Sequence, residues 1–202
     1  MTCRKIAELF KEAGLPDGVL NIVCGGREIV AGLCDHPDIS AISFVGSTSV
    51  ARIVYGKACG NFKRALTLGG ANNHLILLPD AHPENTAFNI AASFLGCAGQ
   101  RCMSACVMVA VGDVDHIIAR LVDESKKFIP GENMSAIVNK AAKESITGFI
   151  DRAEKDGAKI LLDGRKMKVS GGGKENGCYL GPTIIDNVTT SMEIGREENF
   201  GP

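Results

Sequence analysis

Residues 99–102 read Gly-Gln-Arg-Cys, and they separate a segment with a helical pattern, 83–96, from an apolar, strand-like run, 105–111. Glycine tolerates the dihedral angles of a tight turn, so this stretch predicts a helix–turn–strand unit with a cysteine at its break. Arg101 places a cation beside Cys102, and a neighbouring cation favours the nucleophilic thiolate form of cysteine. A cysteine considered alone is more often a buried core residue. Our hypothesis is that Cys102 is a nucleophile, and the surrounding motifs must decide between these two interpretations.

Short apolar runs alternate with helical patterns along the rest of the chain. Predicted strands lie at 19–23, 41–45, 64–68, 74–78, 160–162 and 183–185, and predicted helices at 6–13, 27–34, 49–59, 114–128 and 140–155. Alternation of this kind favours an α/β architecture with parallel strands. The run 74–78 is so apolar that we expect it to be buried on both faces. The glycine-rich stretch 170–177 is expected to form a flexible surface loop.

Composition excludes several classes of function. The chain has 202 residues and a formal net charge of −1, which argues against nucleic acid or an anionic membrane as the main partner. No apolar run approaches the ~18 residues of a membrane span. The eight cysteines follow no recognisable secretory signal and lack zinc-ligand spacing, so we expect free thiols and no metal site. A redox pair of Cys102 and Cys106 stays a minor alternative, because it lacks C-x-x-C spacing.

A second motif, Gly46-Ser47-Thr48, lies between the predicted strand 41–45 and the predicted helix 49–59. Ligands bind at the carboxyl ends of parallel strands, and a helix N-terminus there offers free N–H groups to a phosphate. Ser47 could equally be an ordinary N-cap with no ligand, and the motif alone does not decide between the two. The strict G-x-G-x-x-G dinucleotide fingerprint is absent, so an ordinary Rossmann domain is not supported.

Three segments together resemble the aldehyde dehydrogenase superfamily. Residues 36–48 (HPDISAISFVGST) are similar to its cofactor segment, 94–102 (FLGCAGQRC) to its nucleophile segment, and 197–202 (EENFGP) to its E-E-x-F-G-P segment. Within the superfamily, residues 69–74 and 161–166 most resemble the methylmalonate-semialdehyde dehydrogenases, which acylate coenzyme A. The resemblance implies a partial fold of this family, with the C-terminal part of an NAD-binding domain at 1–69 and the first part of a catalytic domain at 70–202.

The resemblance also implies a reaction. Cys102 would attack an aldehyde carbonyl, hydride would pass to NAD, and coenzyme A would take the acyl group from the resulting thioester. Arg101 would face the carboxylate of a small semialdehyde, methylmalonate or malonate semialdehyde. Full-length members form homo-oligomers and work in mitochondria or the cytoplasm, and no targeting signal is visible in 1–202.

Cofactor-binding residues follow from the same resemblance. Gly46 and Ser47 would lie near the cofactor phosphates, Glu198 would bind the nicotinamide ribose, and Phe200 would pack beside the nicotinamide. For Glu198 alone, a solvated surface carboxylate would be the more common interpretation, and the motif around it reverses that preference.

One departure from the family pattern bears on the second half of the reaction. Hydrolytic members have a glutamate general base about 34 positions before the nucleophile, where this chain has Leu68 beside Thr67. Neither side chain accepts a proton from water at neutral pH, so hydrolysis of a thioester is expected to be slow. This agrees with transfer to coenzyme A, and equally with the alternative that the chain is an inactive fragment of such an enzyme.

Overall fold

The computed structural model describes residues 2–169 and 177–202, so most of the predicted loop 170–177 lies outside the described residues. The chain divides into two compact units, the first ending at Gly70 and the second running from Ala71 to Pro202. Both units contain helices and short strands, which confirms the α/β class that the sequence predicts.

The first unit is built on one parallel strand pair. Its elements are α1 (Thr2–Glu12), α2 (Arg27–Asp35), β1 (Ala41–Val45), α3 (Thr48–Gly60) and β2 (Arg64–Leu68). Helix α3 connects the two strands, which pair in parallel with Ala41 opposite Arg64, as a β–α–β unit requires. The small core of this unit comes from α2 and α3. Strands β1 and β2 begin and end at the residues that the sequence predicts.

The prediction of a strand at 19–23 is wrong. None of these residues belongs to a strand, and all five are exposed. The amide of Val19 donates to the carbonyl of Pro16, which closes a turn. The apolar character of Val19, Leu20, Ile22 and Val23 indicated a strand, but a strand also needs a neighbour whose backbone completes the hydrogen bonds.

The described part of the second unit holds three α-helices and two strand pairs. In chain order it contains β3 (His74–Leu77), α4 (Pro83–Leu95), β4 (Val107–Ala110), α5 (Asp115–Ser125), α6 (Lys140–Lys155), β5 (Lys159–Leu162) and β6 (Ile184–Asp186). Strands β3 and β4 pair in parallel, whereas β5 and β6 are antiparallel. The expectation of parallel strands therefore fails for the last pair, whose described connecting residues contain only a short 3₁₀ turn and no crossover helix.

Helices supply most of the core of the second unit. Leu95, Leu121 and Ile150, from α4, α5 and α6, are almost completely buried in one cluster, and Ile117 of α5 is buried in a second cluster with Leu77 and Val114. Strand β3 contributes less than we expected from its sequence: Leu77 is buried, but Ile76 is 69% exposed. The prediction that this strand is buried on both faces is wrong, because within the described residues only one of its faces is covered. None of the described helices combines the length and hydrophobicity that crossing a membrane requires.

A charged cluster fixes β5 and the following turn to helix α6. The guanidinium of Arg165 donates to Asp163, to Asp151 at 2.5 Å and to Glu154 at 2.7 Å. The side chains of Arg165 and Asp163 are only 16% and 14% exposed, so this pair is shielded from water. The guanidinium holds the pKa of the Asp163 carboxyl well below its usual range. The cluster therefore favours the folded state wherever Asp163 is ionised.

Replacing Arg165 by methionine is expected to lower the free energy of unfolding by about 1–2 kcal/mol at neutral pH, since charged hydrogen bonds are lost but two of the carboxylates are well solvated. Asp163 has a depressed pKa in the folded state, so its contribution is complete above about pH 4 and is lost as the pH falls through that lowered value. The difference between the two proteins should narrow in acid, as measured by urea denaturation at several pH values. Lys166→Met is the matched control, because Lys166 also pairs with Asp163 but is 79% exposed. An equal loss in both variants would contradict this account.

Candidate active site around Cys102

The loop that presents Cys102 begins with an unusual turn. We call residues 96–106, between α4 and β4, the thiol loop. Cys97, Ala98 and Gly99 have φ angles of 57°, 53° and 70°, so three consecutive residues are left-handed. Only glycine adopts this conformation without steric cost, and each other residue costs of order 1–3 kcal/mol. Such a turn persists only where its neighbours hold it in place.

The final residues of the chain hold this turn by close packing. A Cβ atom built on Gly99 would lie 2.0 Å from the carbonyl oxygen of Gly201, closer than atoms can approach. Gly99 is therefore required both for its positive φ and for this contact. Phe200, the residue before Gly201, is also left-handed, with a φ of 50°. The contact brings the predicted cofactor segment around Glu198 and Phe200 against the thiol loop.

Cys102 itself is exposed at the tip of the thiol loop. Its carbonyl oxygen accepts a hydrogen bond of 2.7 Å from the side chain of Asn73, which also donates to the carbonyl of Ser104 at 2.9 Å. Ser104 is buried, and its hydroxyl donates to the carbonyl of Ser93 in α4. The backbone on both sides of Cys102 is thus fixed, while its thiol remains open to solvent. The interpretation of Cys102 as a buried core residue is excluded.

Arg101 is anchored to the end of the preceding helix. One terminal nitrogen of its guanidinium, Nη2, donates to the carbonyls of Ala92 at 2.9 Å and Ser93 at 2.5 Å. The guanidinium also lies over Gly96, where a Cβ would come within 2.4 Å of it. A cation at the C-terminus of a helix interacts favourably with the helix dipole, so Arg101 has a structural role there. Both of these hydrogen bonds use Nη2, and a role of Arg101 toward a substrate carboxylate stays a prediction.

Cys106, four residues further on, is a different kind of thiol. Cys106 is exposed like Cys102, but its sulfur donates to the carbonyl of Ser104, and partial desolvation raises the pKa of this thiol, with a further increase from the carboxylate of Glu198. The protonated, weakly nucleophilic form is therefore favoured at neutral pH. Cys106 lines a mainly apolar cavity of about 230 Å³ between β4 and β6, to which Asn199 and Phe200 also contribute. This cavity lies on the β4 side of the loop, and Cys102 is not among its lining residues.

The predicted phosphate motif lies in the first unit. Gly46 follows β1 and donates its amide to the carbonyl of Leu68, and Ser47 occupies the N-cap position of α3. The hydroxyl of Ser47 makes no capping bond and instead lies 3.3 Å from that of Ser49. Ser47 therefore occupies the predicted N-cap position, but its side chain does not make the hydrogen bond of a cap. The N–H groups of the first turn of α3 are left without a side-chain cap.

The sequence located the nucleophile candidate but not the side chains that fix it. Within the second unit the structure brings Cys102, Arg101, Glu198 and Phe200 into one loop and the segment packed against it. Asn73 was missed, because an asparagine next to a predicted strand gives no sign that it reaches residues 29 positions away. Among residues 2–169 and 177–202, no group of three or more His, Cys, Asp or Glu is arranged to hold a metal ion.

Comparison with known proteins gives close relatives over the whole chain. It is 43% identical to the rat mitochondrial methylmalonate-semialdehyde/malonate-semialdehyde dehydrogenase [acylating], covering 98% of this chain and 38% of the relative. It is 44% identical to malonate-semialdehyde dehydrogenase 1 of Geobacillus thermodenitrificans, covering 100% of this chain and 43% of the relative. The chain therefore spans about two fifths of the length of these relatives.

A solved structure agrees with the fold. A Sinorhizobium meliloti 1021 protein crystallised with NAD superposes with a TM-score of 0.90 at 42% identity, covering 98% of this chain and 42% of that one. The model of the aldehyde dehydrogenase family matches residues 1–202. With the fold and the order of its motifs, this match shows that the chain belongs to the aldehyde dehydrogenase family.

Proposed function

We propose that this chain supplies the nucleophile and part of the cofactor site of an NAD-dependent semialdehyde dehydrogenase that transfers its acyl product to coenzyme A. The observation that carries the proposal is the exposed thiol of Cys102 on a loop held by Asn73 and packed against the segment of Glu198 and Phe200. The rat relative is named as an acylating enzyme, which supports transfer of the acyl group to an acceptor such as coenzyme A.

Cys102 performs the covalent chemistry. Its thiolate sulfur bonds to the carbonyl carbon of the aldehyde and gives a tetrahedral thiohemiacetal. The aldehyde hydrogen leaves with its electron pair, which oxidises this adduct to a thioester on Cys102. The thiolate of coenzyme A then attacks the thioester carbonyl and releases Cys102. With methylmalonate semialdehyde, the carboxylate leaves as carbon dioxide and a proton takes its place on the adjacent carbon, so that the product is propionyl-CoA.

The residues present fit NAD, which when bound would accept the hydride. In the first unit, α3 begins without a side-chain cap, so its first N–H groups are available to a phosphate beside Gly46 and Ser47. In the second unit, the carboxylate of Glu198 suits the two hydroxyls of a ribose, and the half-exposed ring of Phe200 offers an apolar surface to a nicotinamide. We assign these four residues to cofactor binding on this basis.

Arg101 is proposed to recognise the carboxylate of the semialdehyde. Helix α4 holds its Nη2, and a guanidinium has five donors in a fixed plane. Nη1, which makes neither of the hydrogen bonds to α4, can donate to a carboxylate while the helix fixes the orientation of the guanidinium. A lysine would not serve both purposes, because its single ammonium lacks this planar geometry.

Hydrolysis of the thioester lacks a general base at the family position. Leu68 ends strand β2, is half exposed and has no group that accepts a proton. We therefore propose that a thiol acceptor, and not water, completes turnover.

Cys102→Ala is expected to reduce NADH formation from methylmalonate semialdehyde, NAD and coenzyme A to the background rate, because the covalent intermediate cannot form. Cys106→Ala is the matched control and should retain activity, since its thiol is mainly protonated and lines the cavity. Absorbance of NADH gives the rate. No NADH from the unaltered protein at high concentration would instead support a non-catalytic fragment, and equal activity of the two variants would refute the role of Cys102.

Thiol labelling tests the nucleophile without turnover. Among the eight cysteines, iodoacetamide is expected to label exposed Cys102 readily at neutral pH, whereas Cys106 should lag because its pKa is raised and it reacts only as thiolate. Labelling of Cys106 should catch up as the pH rises above about 9. Peptide mass spectrometry resolves the sites. Fast labelling of Cys106 at neutral pH would contradict the assignment.

Omitting coenzyme A should give one rapid equivalent of NADH per active site and then a much slower phase, because the thioester accumulates. Stopped-flow fluorescence of NADH separates the two phases. Leu68→Glu should speed the slow phase, and Leu66→Glu, at a similarly exposed position of the same strand, should not. Turnover without coenzyme A as fast as with it would show that water has another general base.

A further inference from the structure

Gln100 is the single glutamine of the sequence, and its side chain makes three hydrogen bonds. Its Nε2 donates to the carbonyls of Cys97 and Ala136, each at 3.0 Å, and its Oε1 accepts the amide of Val138 at 2.8 Å. Both N–H groups and the oxygen of the amide therefore have partners. All three partners are backbone groups, so they are present whatever side chains stand there.

These bonds connect parts of the second unit that are far apart in sequence. Ala136 and Val138 lie 36 and 38 residues beyond Gln100. The residue between them, Ile137, is buried, and its amide donates to the carbonyl of Cys178 at 2.7 Å. Residues 136–138 are thus fixed to the core, and Gln100 attaches the thiol loop to a rigid support.

The same side chain closes the left-handed turn. The carbonyl of Cys97 accepts from the side chain of Gln100 and also from its backbone amide, at 3.2 Å. Cys97 and Ala98 have no glycine-like freedom, so the turn relaxes unless such bonds outweigh its strain. Asn73 fixes the backbone at and after Cys102, and Arg101 is tied to helix α4, but neither bonds the strained residues.

We propose that Gln100 is the positioning residue for the Cys102 thiol. Because it holds the left-handed turn to residues 136–138, Gln100 fixes where the backbone places Cys102 on the solvent-exposed side of the loop. The proposal rests on the proposed function in taking Cys102 as the nucleophile. Gln100 acts through the backbone and does not touch substrate, so its loss should change the rate of attack more than the binding of cofactor.

Two variants test the role of Gln100. Gln100→Ala removes all three hydrogen bonds. Gln100→Glu keeps an acceptor for the amide of Val138, but the ionised carboxylate has no N–H or O–H to donate and places an oxygen opposite the carbonyls of Cys97 and Ala136. In both, kcat should fall about 10–100-fold at neutral pH, since small displacements of a reacting group have effects of this size, with KM for NAD within about two-fold. For Gln100→Glu, the ratio of its kcat to that of the unaltered protein should recover as the pH falls toward about 4, because a protonated carboxyl donates again.

Asn139→Ala is the matched control. Asn139 adjoins residues 136–138, and its side chain caps α6 by accepting a hydrogen bond from the amide of Ala142, which lies in α6 and not in the thiol loop. Its loss should lower stability without changing the kcat measured below the unfolding transition. If Gln100→Ala behaves like Asn139→Ala, or if the kcat ratio of Gln100→Glu is independent of pH, the positioning role is overturned.

A labelling measurement that needs no catalytic turnover tests this inference separately from the proposed function. The thiol reagent dithiodipyridine reacts with Cys102 without NAD or substrate. In Gln100→Ala this reaction should slow about three-fold or more at neutral pH, because a released loop can cover the thiol with the adjacent Met103, which is 90% exposed in the held loop. Slower labelling with no NADH from the unaltered protein would sustain the positioning role and refute the enzyme. Unchanged labelling would overturn the positioning role.

Discussion

The contact between the backbones of Gly99 and Gly201 is the constraint on which the candidate site depends. No side chain can occupy position 99, because a Cβ there would overlap the carbonyl of Gly201. Two segments about a hundred residues apart in sequence are thereby brought together, one holding Cys102 and the other holding Glu198 and Phe200. Backbone packed against backbone leaves little freedom of approach, so the relation of these segments is set by the main chain.

The thiol loop shows how a strained conformation is kept by contacts from several directions. Two non-glycine residues, Cys97 and Ala98, adopt left-handed angles that are unfavourable in isolation. Gln100 bonds to the backbone of 136–138, Arg101 bonds to the backbone of helix α4, and Asn73 bonds to the loop itself. What remains unrestrained is the exposed thiol of Cys102, which is the arrangement that a nucleophile requires.

Two thiols of one loop illustrate how local surroundings divide chemical roles. Both residues are exposed, but Cys106 also lines a mainly apolar cavity beside Glu198. Partial desolvation and a neighbouring carboxylate both disfavour the thiolate of Cys106, so its pKa rises. Residues of the same type, four positions apart, are therefore given different reactivity by local desolvation and charge.

The sequence by itself determined the α/β class, the strands at 41–45 and 64–68, the helix at 140–155, and the position of Cys102 between a helix and a strand. Those features follow from local periodicity and from glycine, which act over a few residues. Tertiary structure alone decided that 19–23 is not a strand, that Ile76 is exposed and that β5 and β6 are antiparallel, because pairing and burial depend on distant partners. It also decided the roles of Asn73 and Gln100, whose hydrogen bonds span 29 to 38 residues and leave no periodic trace in the sequence.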